Sequence, residues 1–169
     1  MFGDLQKSRT ITYTAAFIGL ISLGAWVSIP FFPVPLTLQT LFVLLAGAVM
    51  KRYAVIPVSL YVLLGALGLP VFHTGVAGFG ILLGPTGGYL IGFIVAALVV
   101  GFAFEQKSEI IRITGLLAGT AIIYICGVVW LMYSLTIGLI PAVLSGVLPF
   151  IPGDVIKIYA AYRIAKRLS

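Results

Sequence analysis

Six stretches of the chain are almost wholly apolar, over residues 11–29, 36–50, 54–69, 89–104, 113–135 and 152–164. The breaks between them alternate in kind. Lys7 and Arg9 precede the first stretch, Lys51 and Arg52 divide the second from the third, Lys107 and Arg112 divide the fourth from the fifth, and Arg163, Lys166 and Arg167 close the sixth. The remaining breaks hold no Lys or Arg: a Pro-rich turn at 30–35, a Gly-rich stretch at 70–88 and a connector at 136–151. A membrane helix needs roughly 20 apolar residues to stand perpendicular to the bilayer. Several of these stretches are shorter, which predicts a small bundle with some helices cut short by outer loops.

The alternation of charge orients the chain. Cytoplasmic ends of membrane helices collect Lys and Arg. With six spans, all four basic clusters fall on one side, and five or seven would scatter them. The pattern therefore predicts an all-α integral membrane protein of six transmembrane helices, one domain over residues 1–169, with both termini in the cytoplasm. The N-terminal segment reads as a retained cytoplasmic end, because the apolar run after it is too long for a signal peptide and no small-residue cleavage site follows.

Composition agrees with this. The chain is 62% hydrophobic and 8% charged, more apolar surface than a soluble fold of 169 residues can hide. Its net charge of +6 lies at span ends and not along one stripe, which argues against nucleic-acid binding. Cys126 is the only cysteine and His73 the only histidine, so neither a disulfide within the chain nor a Cys-rich or His-rich metal site is expected. The chain carries no phosphate loop, since 84–89 lacks the Gly-Lys-Ser/Thr ending and a preceding strand.

The polar chemistry gathers at the side opposite the basic clusters. Asp154 and Lys157 stand three residues apart in the first turns of the sixth helix and so share a face. Asp154 suits the helix N-terminus, whereas Lys157 gains nothing from the dipole there. As an isolated ion pair they would stabilise little after desolvation, and ionisable groups within membrane spans mark functional sites. Thr37 and Gln39 open the second helix, where a hydroxyl can serve as a cap. The Gly-rich stretch holds Phe72, His73 and Thr74, with His73 read as a hydrogen-bonding loop residue and not a catalyst. The segment 84–89, which includes Gly84, Thr86, Gly87 and Tyr89, serves either as a glycine-eased helix start or as a set of backbone N–H groups aimed at ligand oxygens. Aromatics at this side, among them Trp26, Phe31, Phe32, Phe72, Phe79, Tyr89 and Phe150, divide between an interface belt and the walls of an apolar pocket.

Four blocks taken together resemble the BioY family, the biotin-specific substrate-binding subunits of energy-coupling-factor (ECF) transporters: 33–40 (PVPLTLQT), 68–72 (GLPVF), 83–93 (LGPTGGYLIGF) and 148–157 (LPFIPGDVIK). The resemblance runs nearly the whole chain in the same order. It implies an ECF S-component bundle in the cell membrane, with biotin as transported ligand and no cofactor. Asp154 and Lys157 would be the polar anchors of the pocket, with Gln39, Thr40 and the turn at 84–89 as neighbours. Which anchor meets the ureido ring and which the valerate carboxylate stays open. Where family members have a Gly/Asn/Ser-like loop after the Pro-Val-Phe element, this chain has His73 and Thr74. The resemblance also implies a membrane scaffold subunit and two ATPase subunits as partners, with Ala15 and Gly19 on the first helix as the close-approach face for docking.

Two other functions fit the sequence less well. An autonomous transporter or channel for another small solute would be expected to show paired halves, and no internal repeat is visible. An intramembrane enzyme needs a nucleophile with a base, or a metal cluster. One His, one Cys and four acidic residues supply poor material.

Overall fold

The computed structural model describes residues 2–168, with side chains from Lys7 onward. Met1, at the head of the expected cytoplasmic end, lies outside the described residues. Helix α1 covers Phe2–Trp26. A two-stranded antiparallel ribbon follows, β1 (Ser28–Ile29) against β2 (Leu36–Thr37). Then come α2 (Gln39–Met50), a 3-10 turn at Lys51–Ala54 and α3 (Val55–Ala66). A second 3-10 turn at His73–Gly75 and the short α4 (Phe79–Leu83) lead to α5 (Gly87–Glu105). The chain ends with α6 (Glu109–Leu135), α7 (Leu139–Gly146) and α8 (Ile151–Leu168).

Among the described residues, three segments are long and apolar enough to cross a bilayer: 39–66, α5 and α6. The α7–α8 pair, bent by 53°, makes a fourth if it counts as one span. The 39–66 segment is not a straight rod. A straight helix would carry Gln39 about 33 Å from Tyr61, at 1.5 Å rise per residue, yet the Gln39 amide donates to the Tyr61 hydroxyl at 2.5 Å. The chain therefore reverses between them, and the reversal falls at Lys51, whose backbone leaves the helical region (φ 57, ψ −140). α2 and α3 form a hairpin whose 12-residue limbs each rise only about 18 Å.

The core is built on close approach. A Cβ at Gly88 would stand 2.2 Å from Trp130 Cβ, and one at Gly115 would stand 2.2 Å from Ala103 Cβ. Only glycine lets α5 and α6 draw this near, the membrane solution in which backbone proximity replaces the hydrophobic drive. The buried apolar residues form one cluster along the bundle, with Ile21, Val43, Leu44, Val58, Val100, Leu116, Ile123 and Leu131 at its centre.

Several boundaries depart from the hydropathy pattern for local reasons. The apolar run at 11–29 ends early because Ser28 and Ile29 pair with Leu36 and Thr37, which also delays α2 to Gln39. α6 begins four residues before its apolar run because Ser108 caps it: its hydroxyl accepts from the Ile111 amide, and Glu109 occupies the first turn. The connector at 136–151 contains a helix, α7, that lies against α6.

Candidate functional site

The N-terminal ends of α2 and α8 come together at one end of the bundle, and with them a carboxylate and an ammonium. Asp154 is 3% exposed. The Lys157 ammonium donates to Asp154 Oδ1 at 2.7 Å and to Thr40 Oγ1 at 3.0 Å. Thr40 donates its own proton to Asp154 Oδ1 at 3.1 Å. The Tyr124 hydroxyl, from α6, donates to Asp154 Oδ2 at 2.5 Å. Three helices thus share one polar knot. A buried ion pair tolerates desolvation only when its remaining donors and acceptors are met. Here the carboxylate accepts three bonds and the ammonium spends two of its three donors. That leaves one Lys157 donor and one lone pair on Oδ2 beyond these bonds.

The knot lines a cavity of about 560 Å³ counting its open mouth. Its walls are mainly apolar: Val34 and Pro35 from the proline turn between the strands, Phe72, Ile81, Leu90, Phe93, Ile123 and Phe150. Thr37, Gln39, Thr86 and Tyr89 supply further polar atoms. A mostly apolar concavity with a few convergent polar groups is the ordinary make-up of a small-molecule site.

Some of these polar atoms are already committed. The Gln39 amide donates to Tyr61, whose hydroxyl in turn donates to the Val71 carbonyl at 3.1 Å. Its oxygen accepts from Thr37 at 3.2 Å, and the Gln39 backbone N–H donates to the Thr37 hydroxyl at 3.3 Å. Thr37 stands one residue before the N-cap, Leu38, and makes a local turn with Gln39 without capping α2, while Gln39 ties α2 to α3. Tyr89 donates to the Gly146 carbonyl at 2.8 Å, which fastens α5 to α7 while its ring lines the cavity. His73 also lines the cavity, and burial holds its imidazole below the ordinary histidine range.

Of the residues singled out in the sequence, Asp154, Lys157, Gln39, Thr40, Phe72, His73, Thr86 and Tyr89 meet at this cavity. Thr74, Gly84 and Gly87 do not line it. Thr74 takes a left-handed backbone (φ 55) and turns to the surface. The Gly84 carbonyl is occupied by the Trp130 indole N–H at 2.9 Å. Gly87 is pressed against Leu82, where a Cβ would sit 1.8 Å from the Leu82 oxygen. Nor does the 84–89 turn present a row of amides, since the Gly87 and Tyr89 N–H groups donate to Gly84 and Thr86 carbonyls. The aromatics separate cleanly: Phe72, Tyr89 and Phe150 are buried walls, whereas Trp26, Phe31, Phe32 and Phe79 are exposed.

Tyr124, Phe93 and Ile123 were not apparent in the sequence. Among the described residues Tyr124 alone brings a phenol to Asp154, but its partner lies 30 residues away. The available signal was spacing: Gly119, Thr120, Ile123 and Gly127 mark the buried face of α6, and Tyr124 borders it.

An all-α membrane bundle with one neutral ion pair at the end of a greasy cavity defines a solute-binding membrane component. The chain belongs to the BioY family, whose model matches residues 3–169. It is 44% identical over 163 residues to the biotin transporter BioY of Thermotoga maritima, covering 95% of this chain and 96% of that one. It is 40% identical to a probable biotin transporter BioY of Pyrococcus horikoshii, covering 97% and 98%. Its fold superposes with a TM-score of 0.88 on the crystal structure of the S-component for biotin from an ECF-type ABC transporter, at 31% identity, over 96% of this chain and 92% of that one. Membership sets the chain among multi-pass membrane transport components, not enzymes.

Proposed function

We propose that this chain is a biotin-capturing subunit that hands biotin inward through a separate ATP-driven module. The carrying observation is the knot of Asp154, Lys157, Thr40 and Tyr124 at the edge of an apolar cavity. A cyclic urea presents N–H and C=O side by side. The free lone pair of Asp154 matches the first, and the free donor of Lys157 matches the second. The pair is neutral overall, so it suits a neutral head better than it suits a lone carboxylate. The valerate carboxylate then lies toward the mouth, near His73. Phe72, Phe93 and Phe150 flank the apolar thiophane ring and chain.

The binding component spans the cytoplasmic membrane six times as one domain, with the cavity facing outward and both termini in the cytoplasm. The basic clusters support this orientation, and the ribbon and the Lys51–Ala54 turn extend the short α2–α3 hairpin across the remaining depth. The partners are a membrane scaffold and two ATPase subunits. Ala15 and Gly19 form the docking face on α1: both are exposed, and a Cβ at Gly19 would meet nothing within 4 Å.

Calorimetry of the detergent-purified chain with biotin and dethiobiotin tests the reading. Wild type should bind biotin, and Asp154→Asn and Lys157→Ala should each weaken it about 100-fold or more, because each strands its buried partner. No binding by wild type removes the ligand, and unchanged affinity in both variants removes the site. Uptake by vesicles holding only this chain would remove the ATP-driven partnership.

A further inference from the structure

The far end of the bundle carries a second concavity of about 1120 Å³ counting its mouth, between the N-terminal part of α1, the α2–α3 turn and the ends of α6 and α8. The cavity that holds Asp154 is lined by Gln39 and Thr40 at the start of α2. This one is lined by Met50 and Lys51 at its end, a helix length away.

Three cations from three separate elements converge on it: Arg9, Lys51 and Arg112. Among the described side chains, none that lines it is acidic. Two described carboxylates at that end hold partners outside the cleft lining, Glu105 with Arg52 at 2.6 Å and Glu109 with Lys166. The orienting rule accounts for cations at this end of the helices, but not for three of them, from three separate elements, around one hollow. The positions are also held. Arg112 Nε donates to the Gln106 carbonyl at 2.9 Å, and its guanidinium stacks over Phe104 at 5.7 Å from the ring centroid. Lys51 takes a left-handed backbone that a side chain rarely adopts, with its carbonyl packed against Gly101, where a Cβ would fall 2.4 Å from the oxygen. The floor is apolar, with Met50, Phe104 and Leu168.

We propose that this cleft binds the phosphate of an anionic phospholipid headgroup. The three cations supply donors and charge. The apolar floor takes the glycerol and the first methylenes, which a free phosphate would leave unused. Basic hollows between helices at the cytoplasmic surface are suited to such headgroups.

Native mass spectrometry of the full chain released from a nonionic detergent tests this, with phosphatidylglycerol and phosphatidylcholine as the lipid probes. Wild type should retain phosphatidylglycerol over phosphatidylcholine. The triple variant Arg9→Gln, Lys51→Gln, Arg112→Gln should retain it roughly a hundredfold more weakly, given the contribution of each basic residue near an anionic headgroup. A control removing the same charge outside the cleft, Lys107→Gln, Arg163→Gln, Arg167→Gln, should keep wild-type retention. Gel filtration and helical circular dichroism establish that both variants stay folded. Equal losses in the two triples would overturn the site, because the effect would then be bulk charge. Displacement of the lipid by inorganic phosphate at matched concentration would overturn the lipid assignment, since the floor would then contribute nothing.

Discussion

Tyr124 and Lys157 make the same carboxylate usable in different ways. Lys157 neutralises Asp154, while Tyr124 holds its second oxygen in place from another helix. Removing the phenol leaves charge balance intact and costs one hydrogen bond to a charged group. Tyr124→Phe should therefore weaken biotin binding about tenfold, far less than Lys157→Ala. The double variant Asp154→Asn, Lys157→Ala should bind no worse than either single one, because each single change already breaks the unit, and calorimetry on the three proteins checks the coupling. His73 gives a pH signature. Its folded pKa lies below the ordinary 6.5 through burial, so between the two values the unfolded chain binds more protons. Stability must fall as pH drops through 6.5, and thermal melts from pH 8 to 5 should show wild type losing ground to His73→Gln. Asp154 and Lys157 were legible in the sequence because charge in an apolar helix is conspicuous. Tyr124 was not, since a tyrosine in an apolar run reads as belt or filler until a distant partner is placed beside it.

At the scale of elements, two glycines with opposite surroundings separate packing from docking. Gly88 is enclosed, with Trp130 Cβ at 2.2 Å and the Cys126 oxygen at 2.3 Å from an added Cβ, whereas Gly19 meets nothing. Gly88→Ala must push α5 from α6, an overpacking cost of about 1–3 kcal/mol, and should lower the melting midpoint by about 5 °C. Gly19→Ala should leave the midpoint unchanged. If α1 docks a scaffold subunit there, Gly19→Leu should abolish co-purification with it while leaving biotin binding intact; undiminished co-purification would place the docking face elsewhere. The apolar runs foretold the long helices because their period and length are properties of local sequence. They did not foretell the ribbon, since β1 and β2 are two residues each and exist only through pairing across the proline turn. They did not foretell α7 either, because Gly138 and Pro141 read as breakers although both suit the start of a helix.

For the whole molecule, capture from outside requires that the Asp154 cavity and the basic cleft open to opposite sides of the membrane. The fold places them at opposite ends of α2 and α8, and the charge rule says which end is which. That direction can be read without any ligand. In a Cys126→Ser background, Thr74→Cys sits on the exposed turn after Phe72, beside the cavity, and Lys107→Cys sits on the exposed α5–α6 connection at the other end. Neither substitution disturbs packing. Thr74 is exposed, and cysteine lacks the β-branch that makes its left-handed backbone costly. A membrane-impermeant maleimide added to intact cells stripped of their outer layers should label Thr74→Cys fully and Lys107→Cys only after lysis. The reverse pattern would open the ion pair to the cytosol, and a chain so inserted would receive biotin only from the compartment it is meant to supply.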